Sequence, residues 1–284
     1  MKLSKILALL LALCLLSSTA CASTFTDAHG NEIELDDSLE AYTAVTLVGA
    51  NDAARQGETN LGDLWADALR WFAVSGEINA AFDEDDVKAD NDHIAVDADH
   101  VVALWNGGNL RADIAEGTFG AEALAEVLPY PNKVAVVYMT GAQLLEALEA
   151  ASQALPYTAE TADACASLMQ VSGLTYAVDT TKAYDALEAY GDHWFTAGSV
   201  SRVSVAEVNG QPFDAEATYA VITSNANFNG MDSSYVFKAA AEANEQSAVT
   251  TAVVRDVVWS YIASELSNQV GESYAAPQGR LTVQ

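Results

Sequence analysis

The sequence predicts an α/β fold, of α+β layered type, built as a single mixed-sheet domain. Three observations lead there. Strand-like and helix-like runs alternate from residue 42 to the C-terminus. No internal repeat, low-complexity linker or composition break divides them. The chain has 3 cysteines, which gives no disulfide framework, so stability must come from a packed core. About 260 residues are enough to build one.

The elements follow in order. "TFTDAHGNEIELDD" alternates apolar and polar residues on both sides of "HGN". It reads as a hairpin with Gly30 and Asn31 in the turn, a leader over 23–41 ahead of a main domain over 42–284. "YTAVTLVGA" (42–50) is a strand by its β-branched alternation. "TNLGDLWADALRWFAVSG" places Leu61, Leu64, Trp65, Ala68, Leu69 and Phe72 on one helical face, with Thr59 or Asn60 as cap and Gly76 as terminator. The acidic run "DEDDVKADNDH" reads as a solvated loop, and "HVVALWNGG" as a strand running into a glycine pair. "TFGAEALAEVLP" is expected as a helix stopped by Pro129, and "KVAVVYMTG" as a buried strand. In the helix "TGAQLLEALEAASQAL", Leu144, Leu145 and Leu148 face inward. "SGLTYAVD", "SRVSVAEVNGQPFD" and "TYAVITSNA" read as strands, the second with a tight turn at Asn209 and Gly210. "SAVTTAVVRDVVWSYIASEL" is expected as one long closing helix.

The first 22 residues carry Lys2 and Lys5, then "ILALLLALCLL", then small residues, the pattern of a secretory signal peptide. Two processing readings compete: cleavage after the small residues of "ACA", or lipid attachment at Cys21 through a lipobox in which Ser18 stands where leucine is usual. The exported chain is therefore expected to be secreted or extracytoplasmic, free or lipid-anchored. The chain carries 12 Lys and Arg against 40 Asp and Glu, a net charge of −28. Loss of Lys2 and Lys5 takes this to about −30, which argues against nucleic-acid polymers as partners.

Against that acidic background, "LWNGGNLRADIAEG" sets Arg111 just behind the adjacent glycines Gly107 and Gly108. Glycines let a backbone approach a ligand closely, and an arginine adds a fixed fork of donors. This loop is one of four blocks in register with "RQGETNLGDLWADAL", "VSGLTYAVD" and "YAVITSNANFNGMDSSYVF". Together they resemble the C-terminal, substrate-binding domain of the 5'-nucleotidase family over roughly residues 42–284. The resemblance implies a domain that holds the nucleoside end of a nucleotide, in nucleotide catabolism or salvage, while a neighbouring two-metal phosphatase domain does the chemistry. Carried over residue by residue, Arg111 matches the family's binding arginine. Asn106 matches the asparagine that opens the glycine loop, and Arg55 an arginine ahead of the "ETNLG" helix. Tyr130 stands where a phenylalanine stacks on the base, with Asn132 two residues on as a polar base contact. Asp232 matches the aspartate that accepts hydrogen bonds from ribose hydroxyls.

Several positions depart from that pattern. Ala226 replaces the second stacking phenylalanine, and Met231 a glycine. Asn109 replaces another glycine, a change asparagine tolerates in a left-handed backbone. If the segment is extended, Phe228 shares a face with Ala226 and supplies the missing ring. Asp27 and His29 form the D-x-H pair that opens metallophosphatase metal sites, yet only 25 residues lie between His29 and Arg55, too few for a catalytic domain. His93, His100 and His193 stand in no metal-ligand motif, and Cys165 has no histidine near it in sequence. No catalytic residue, metal ligand or cofactor is therefore expected in this chain. Three roles remain open: recognition of a nucleoside or nucleotide without its own metal site, docking of a separate metallophosphatase chain in a split enzyme, and a non-binding structural relative.

Overall fold

A computed structural model describes residues 23–26, 32–35, 40–50, 52–82 and 94–284 of the chain, the first two stretches by their backbone alone. The acidic run, His93, Asp27, His29, the turn at Gly30 and Asn31, and the signal segment lie outside the described residues. Strands β1 (Ser23–Thr26) and β2 (Glu32–Leu35) pair antiparallel, as the alternation around "HGN" requires.

The predicted strand over 42–50 is shorter than expected. β3 spans Glu40–Thr43, and beyond it only an isolated bridge between Leu47 and Ile114 continues the pairing while side chains take most of the remaining backbone bonds. Asn60 accepts from Val48 N–H at 2.7 Å and donates to Thr46 O at 3.1 Å. One oxygen of Asp113 accepts from both Gly49 and Ala50 N–H. A one-turn helix, α1 (Ala53–Gln56), follows. Helix α2 (Asn60–Val74) is capped by the Thr59 side chain, which accepts from Gly62 N–H, and ends ahead of Gly76 at φ +84°.

β4 (Val101–Asn106) is wholly buried and β5 (Gly117–Gly120) pairs with β3. The predicted helix from 118 therefore starts later, as α3 (Ala121–Val127). β6 (Lys133–Thr140) leads into α4 (Gly141–Ala151), whose N-terminus is a reciprocal Thr140–Gln143 capping box. The expected strand at "SGLTYAVD" is β8 (Leu174–Val178), and an unexpected further strand, β7 (Met169–Ser172), precedes it across Gly173 at φ +84°. β9 (Ala186–Tyr190) and β10 (Trp194–Ala197) form an outlying hairpin. β11 (Val203–Val208) and β12 (Gln211–Pro212) flank the expected turn, with Asn209 at φ 49° and Gly210 at φ 76°.

β13 (Thr218–Ser224) ends in a short helix, α5 (Asn225–Phe228), and α6 (Tyr235–Ala243) follows. The predicted closing helix is divided. Its β-branched start becomes β14 (Ala248–Val253), an edge strand on β6, and only the remainder forms α7 (Val254–Ser264). β15 (Gln269–Val270) and β16 (Leu281–Val283) complete the chain.

The central sheet has the order β14-β6-β13-β4-β7, with β13 and β4 parallel and the other pairs antiparallel. Period-two alternation divides its side chains between two cores. Val101, Ala103 and Trp105 of β4 meet α2 and α7 on one face, where Trp65 and Trp105 lie with ring centroids 6.1 Å apart. Val102 and Leu104 meet α4 and α6 on the other face. The second core continues to a four-stranded sheet, β12-β11-β8-β16. Helices cover both faces of one mixed sheet, so the α/β layering is as predicted.

Candidate functional site

The carboxyl ends of the parallel neighbours β4 and β13 bring the loops after them together. β4 ends at Asn106, 2 % exposed, followed by a 3-10 turn over Gly107–Asn109. A Cβ on Gly107 would lie 2.1 Å from the Ala54 carbonyl oxygen, and one on Gly108 2.5 Å from the Ala166 Cβ. Gly107 thus lets this turn press against α1, the helix that carries Arg55, and Gly108 lets it press against the turn at Ala166. Gly107 N–H donates to Leu168 O at 2.7 Å and Arg111 N–H to Val127 O at 2.8 Å, which fixes both ends of the loop. Asn109 needs no left-handed backbone, contrary to the reason expected for it. Its side chain serves instead, donating to Asn106 Oδ1 at 2.8 Å.

Asn106 Nδ2 in turn donates to Asp232 Oδ2 at 3.3 Å, across the gap between the two strand ends. Asp232 adopts φ 54°, a left-handed conformation that costs a non-glycine residue about 1 kcal/mol or more. Burial raises its carboxyl pKa, and the positive charges of Arg55 and Arg111 oppose the rise. Arg55 donates to Ala162 O at 2.7 Å and lies 3.6 Å from Asp163. Arg111 lies 5.8 Å from the ring centroid of Tyr130. The Nε atoms of both arginines are buried and have no hydrogen-bond partner among the described residues.

Tyr130 is 46 % exposed, in the loop behind α3. That loop is tied to α5 through Lys133 N–H, which donates to Asn225 Oδ1 at 3.0 Å. Asn132 is half-buried in it, and its carbonyl accepts from Val254 N–H. Asn106 and Asp232 are thus joined by a hydrogen bond, Arg111 and Tyr130 by a ring contact, and Gly107 sets the loop of Asn106 and Arg111 against the helix of Arg55, with Asn132 in the Tyr130 loop.

Phe228 requires a correction. The segment from Asn225 to Phe228 is helical rather than extended, so positions i and i+2 point about 200° apart and Ala226 and Phe228 do not share a face. Phe228 instead packs, half-buried, against the second core. Phe228→Ala is expected to lower stability on the order of 2 kcal/mol, below the cost for a fully buried ring, and to leave ligand affinity unchanged. A weaker dissociation constant with an unaltered denaturation midpoint would place the ring in the site after all.

The histidines described stand elsewhere. His100 lies ahead of β4, at the opposite end from Asn106, against the Tyr219 ring, and His193 neighbours Trp194 on the outlying hairpin. Cys165 is buried, and burial pushes its thiol pKa up.

Two supports went unnoticed in the sequence. Gln170, 1 % exposed on β7, accepts from Thr59 N–H and donates to the carbonyls of Ala54 and Gly57, so it holds α1 at both ends. Its signal was a lone polar residue within the apolar run "SLMQVSG". The second support is an ion network from the chain's end: Arg280 meets Asp67 with two contacts of 2.8 Å. Ser172 Oγ and Tyr274 OH also donate to Asp67. One turn earlier on α2, Asp63 is fully buried, accepts from Gln278 N–H at 3.1 Å and has Arg280 3.9 Å from its Oδ1, and among the described residues neither that oxygen nor Glu58 Oε1 receives a hydrogen bond. Burial, then the charge of Glu58, pushes the Asp63 pKa up to about 8, with Arg280 opposing.

Fold and site together define a mixed α/β domain with a cluster of polar and charged residues at the end of its parallel strand pair. The chain belongs to the 5'-nucleotidase C-terminal domain family, whose model matches residues 19–242. It is similar to a 5'-nucleotidase precursor from Thermus thermophilus, with 29 % identity and a TM-score of 0.62 over 86 % of this chain and 39 % of that one. The NAD nucleotidase of Haemophilus influenzae shares the fold, with a TM-score of 0.56 at 15 % identity over 86 % of this chain and 38 % of that one. The trifunctional nucleotide phosphoesterase protein YfkN of Bacillus subtilis (strain 168) is 32 % identical over 124 residues, 43 % of this chain and 7 % of its own length. The chain thus spans well under half the length of these relatives.

Proposed function

We propose that this chain is the nucleoside or nucleotide recognition half of a 5'-nucleotidase-type hydrolase, without a metal site of its own. The observation that carries this reading is the Asn106–Asp232 hydrogen bond between the two strand-end loops, set beside Arg111 and the exposed Tyr130 ring, with the Nε atoms of Arg55 and Arg111 buried and unpartnered among the described residues. The base lies on Tyr130, with Asn132 at its polar edge. Asp232, oriented by Asn106, accepts from the ribose hydroxyls. Arg111 and Arg55 donate to ligand oxygens. The signal-like segment supports an extracytoplasmic location, with Cys21 as the candidate lipid anchor.

A second reading has a specific observation behind it. Tyr130 at 46 % and Met231 at 59 % exposure leave apolar surface beside the site, and a separate metallophosphatase chain docked there would complete a split enzyme.

Calorimetric titration with adenosine, AMP and uridine, with and without divalent metal, tests both. Metal-independent binding is expected. Arg111→Ala should weaken it by about 1.5 to 3 kcal/mol, the range for a lost charged hydrogen bond, with the circular dichroism spectrum unchanged. An unaltered affinity in that variant removes Arg111 from the site. Metal-dependent turnover of AMP by this chain alone would overturn the view that its hydrolytic centre lies elsewhere.

A further inference from the structure

The loop carrying Asp232 holds a large apolar side chain that neither hydrophobic core takes up. Met231 is 59 % exposed, while Met139 and Met169 are 1 % and 0 % exposed. Its backbone is not loose. Met231 N–H donates to Ala226 O and Ser234 N–H to Met231 O, each at 3.0 Å, and Tyr190 OH donates to Gly230 O at 2.6 Å. Left-handed residues stand on both sides, Gly230 at φ 81° and Asp232 at φ 54°. A strained, tightly bonded turn therefore presents this thioether to solvent.

The same short helix connects Met231 to the tyrosine. α5 holds the Tyr130 loop through Asn225 and the Met231 turn through the carbonyl of Ala226. Asp232, next to Met231 in sequence, feels the charge of Arg111, which in turn sits against the Tyr130 ring. Two exposed apolar groups thus border one polar cluster. A thioether is polarizable and makes favourable contacts with aromatic rings.

Resting on the recognition function proposed above, we infer that Met231 is a binding residue that closes over the face of the heteroaromatic base opposite Tyr130. The site would then hold a flat ring between a phenol and a thioether rather than between two aromatic rings. One consequence is sensitivity to oxidants. Peroxide transfers one oxygen atom to the sulfur, giving the sulfoxide and water, and makes this wall polar. The burial of Met139 and Met169 directs that reaction to Met231.

The test is adenosine titration of the exported chain and its Met231→Ala, Met231→Leu and Arg111→Ala variants, before and after mild peroxide treatment. Met231→Ala should weaken binding about three- to tenfold, the span of sulfur–aromatic contacts, and Met231→Leu should keep most of the affinity. Peroxide should weaken the parent and leave Met231→Leu unaffected, with the added oxygen found on the Met231 peptide by mass spectrometry. If Met231→Ala binds like the parent while Arg111→Ala is weakened, the methionine wall is wrong and the recognition site stands. If neither variant is weakened, the recognition reading itself fails. Equal peroxide sensitivity of the parent and Met231→Leu would also overturn the role of Met231.

Discussion

Gly107→Ala is expected to destabilise the protein by about 3 kcal/mol or more, at the upper end of what overpacking costs. The added methyl would lie 2.1 Å from the carbonyl oxygen of Ala54 and 2.7 Å from its carbonyl carbon. Both are main-chain atoms, so no rotamer change relieves the contact. Nor is α1 free to retreat, because Gln170 Nε2 donates to that same Ala54 oxygen at 3.1 Å. Relief would require breaking the Gln170 bonds or shifting the end of β4, and either movement carries Arg55 or Asn106 away from Asp232. Ligand affinity should therefore fall together with stability. Gly57→Ala is the control: its φ is −178°, and an added methyl there meets nothing within 4 Å. It should change stability by no more than about 0.5 kcal/mol. Chemical denaturation of the two variants checks this, and equal midpoints would show that the turn after β4 has room to spare.

Asp63→Asn should become progressively more stable than the parent as pH rises from 4 to 8. An aspartate whose pKa rises from 3.8 to about 8 on folding keeps its proton in the folded chain over that interval and loses it in the unfolded chain. The unfolded state then binds fewer protons, so stability falls with rising pH through this group and levels off above pH 8. Asparagine is neutral throughout. Its amide oxygen can still accept from Gln278 N–H, and its NH2 can donate to the neighbouring Glu58 carboxylate. The two proteins should be nearly equal at pH 4, and the variant ahead by roughly 5 kcal/mol at pH 8 and above. Denaturation midpoints across pH 4 to 9 measure the difference. A difference independent of pH would mean that Asp63 is ionised in the fold.

Much of this architecture was legible because local signals and tertiary demands agreed. Thr59 and Gly76 bracket α2 and Asn209-Gly210 closes a hairpin, each by chemistry confined to a few residues. The misreadings arose where partners distant in sequence decided the outcome. Residues 44–50 carry a strand-like pattern, yet beyond a single bridge at Leu47 the side chains of Asn60 and Asp113 take the hydrogen bonds of Thr46, Val48, Gly49 and Ala50. "SAVTTAV" joins a helical run in sequence, yet β6 recruits it as an edge strand. Phe228 was misplaced for a related reason: Ser224 accepts from Asn227 N–H and caps a helix where the strand pattern suggested continuation. In the candidate site, the Gly107–Arg111 loop stood out because positive charge is so scarce. Gln170 and Arg280 did not, since their partners lie more than 100 residues away.

The parallel pairing of β13 with β4, Ala220 opposite Val101 and Ile222 opposite Ala103, has a mechanical consequence. Asn106 and Asp232 belong to loops 126 residues apart and meet only because both strands stop at the same level. Moving one strand by a single residue would offset the loop tips by about 3.3 Å, enough to separate an amide from its carboxylate. A ligand bridging the two tips therefore gauges strand alignment: it rewards correctly assembled sheets and ignores slipped ones. By mass action it would draw misregistered chains toward the native pairing during folding.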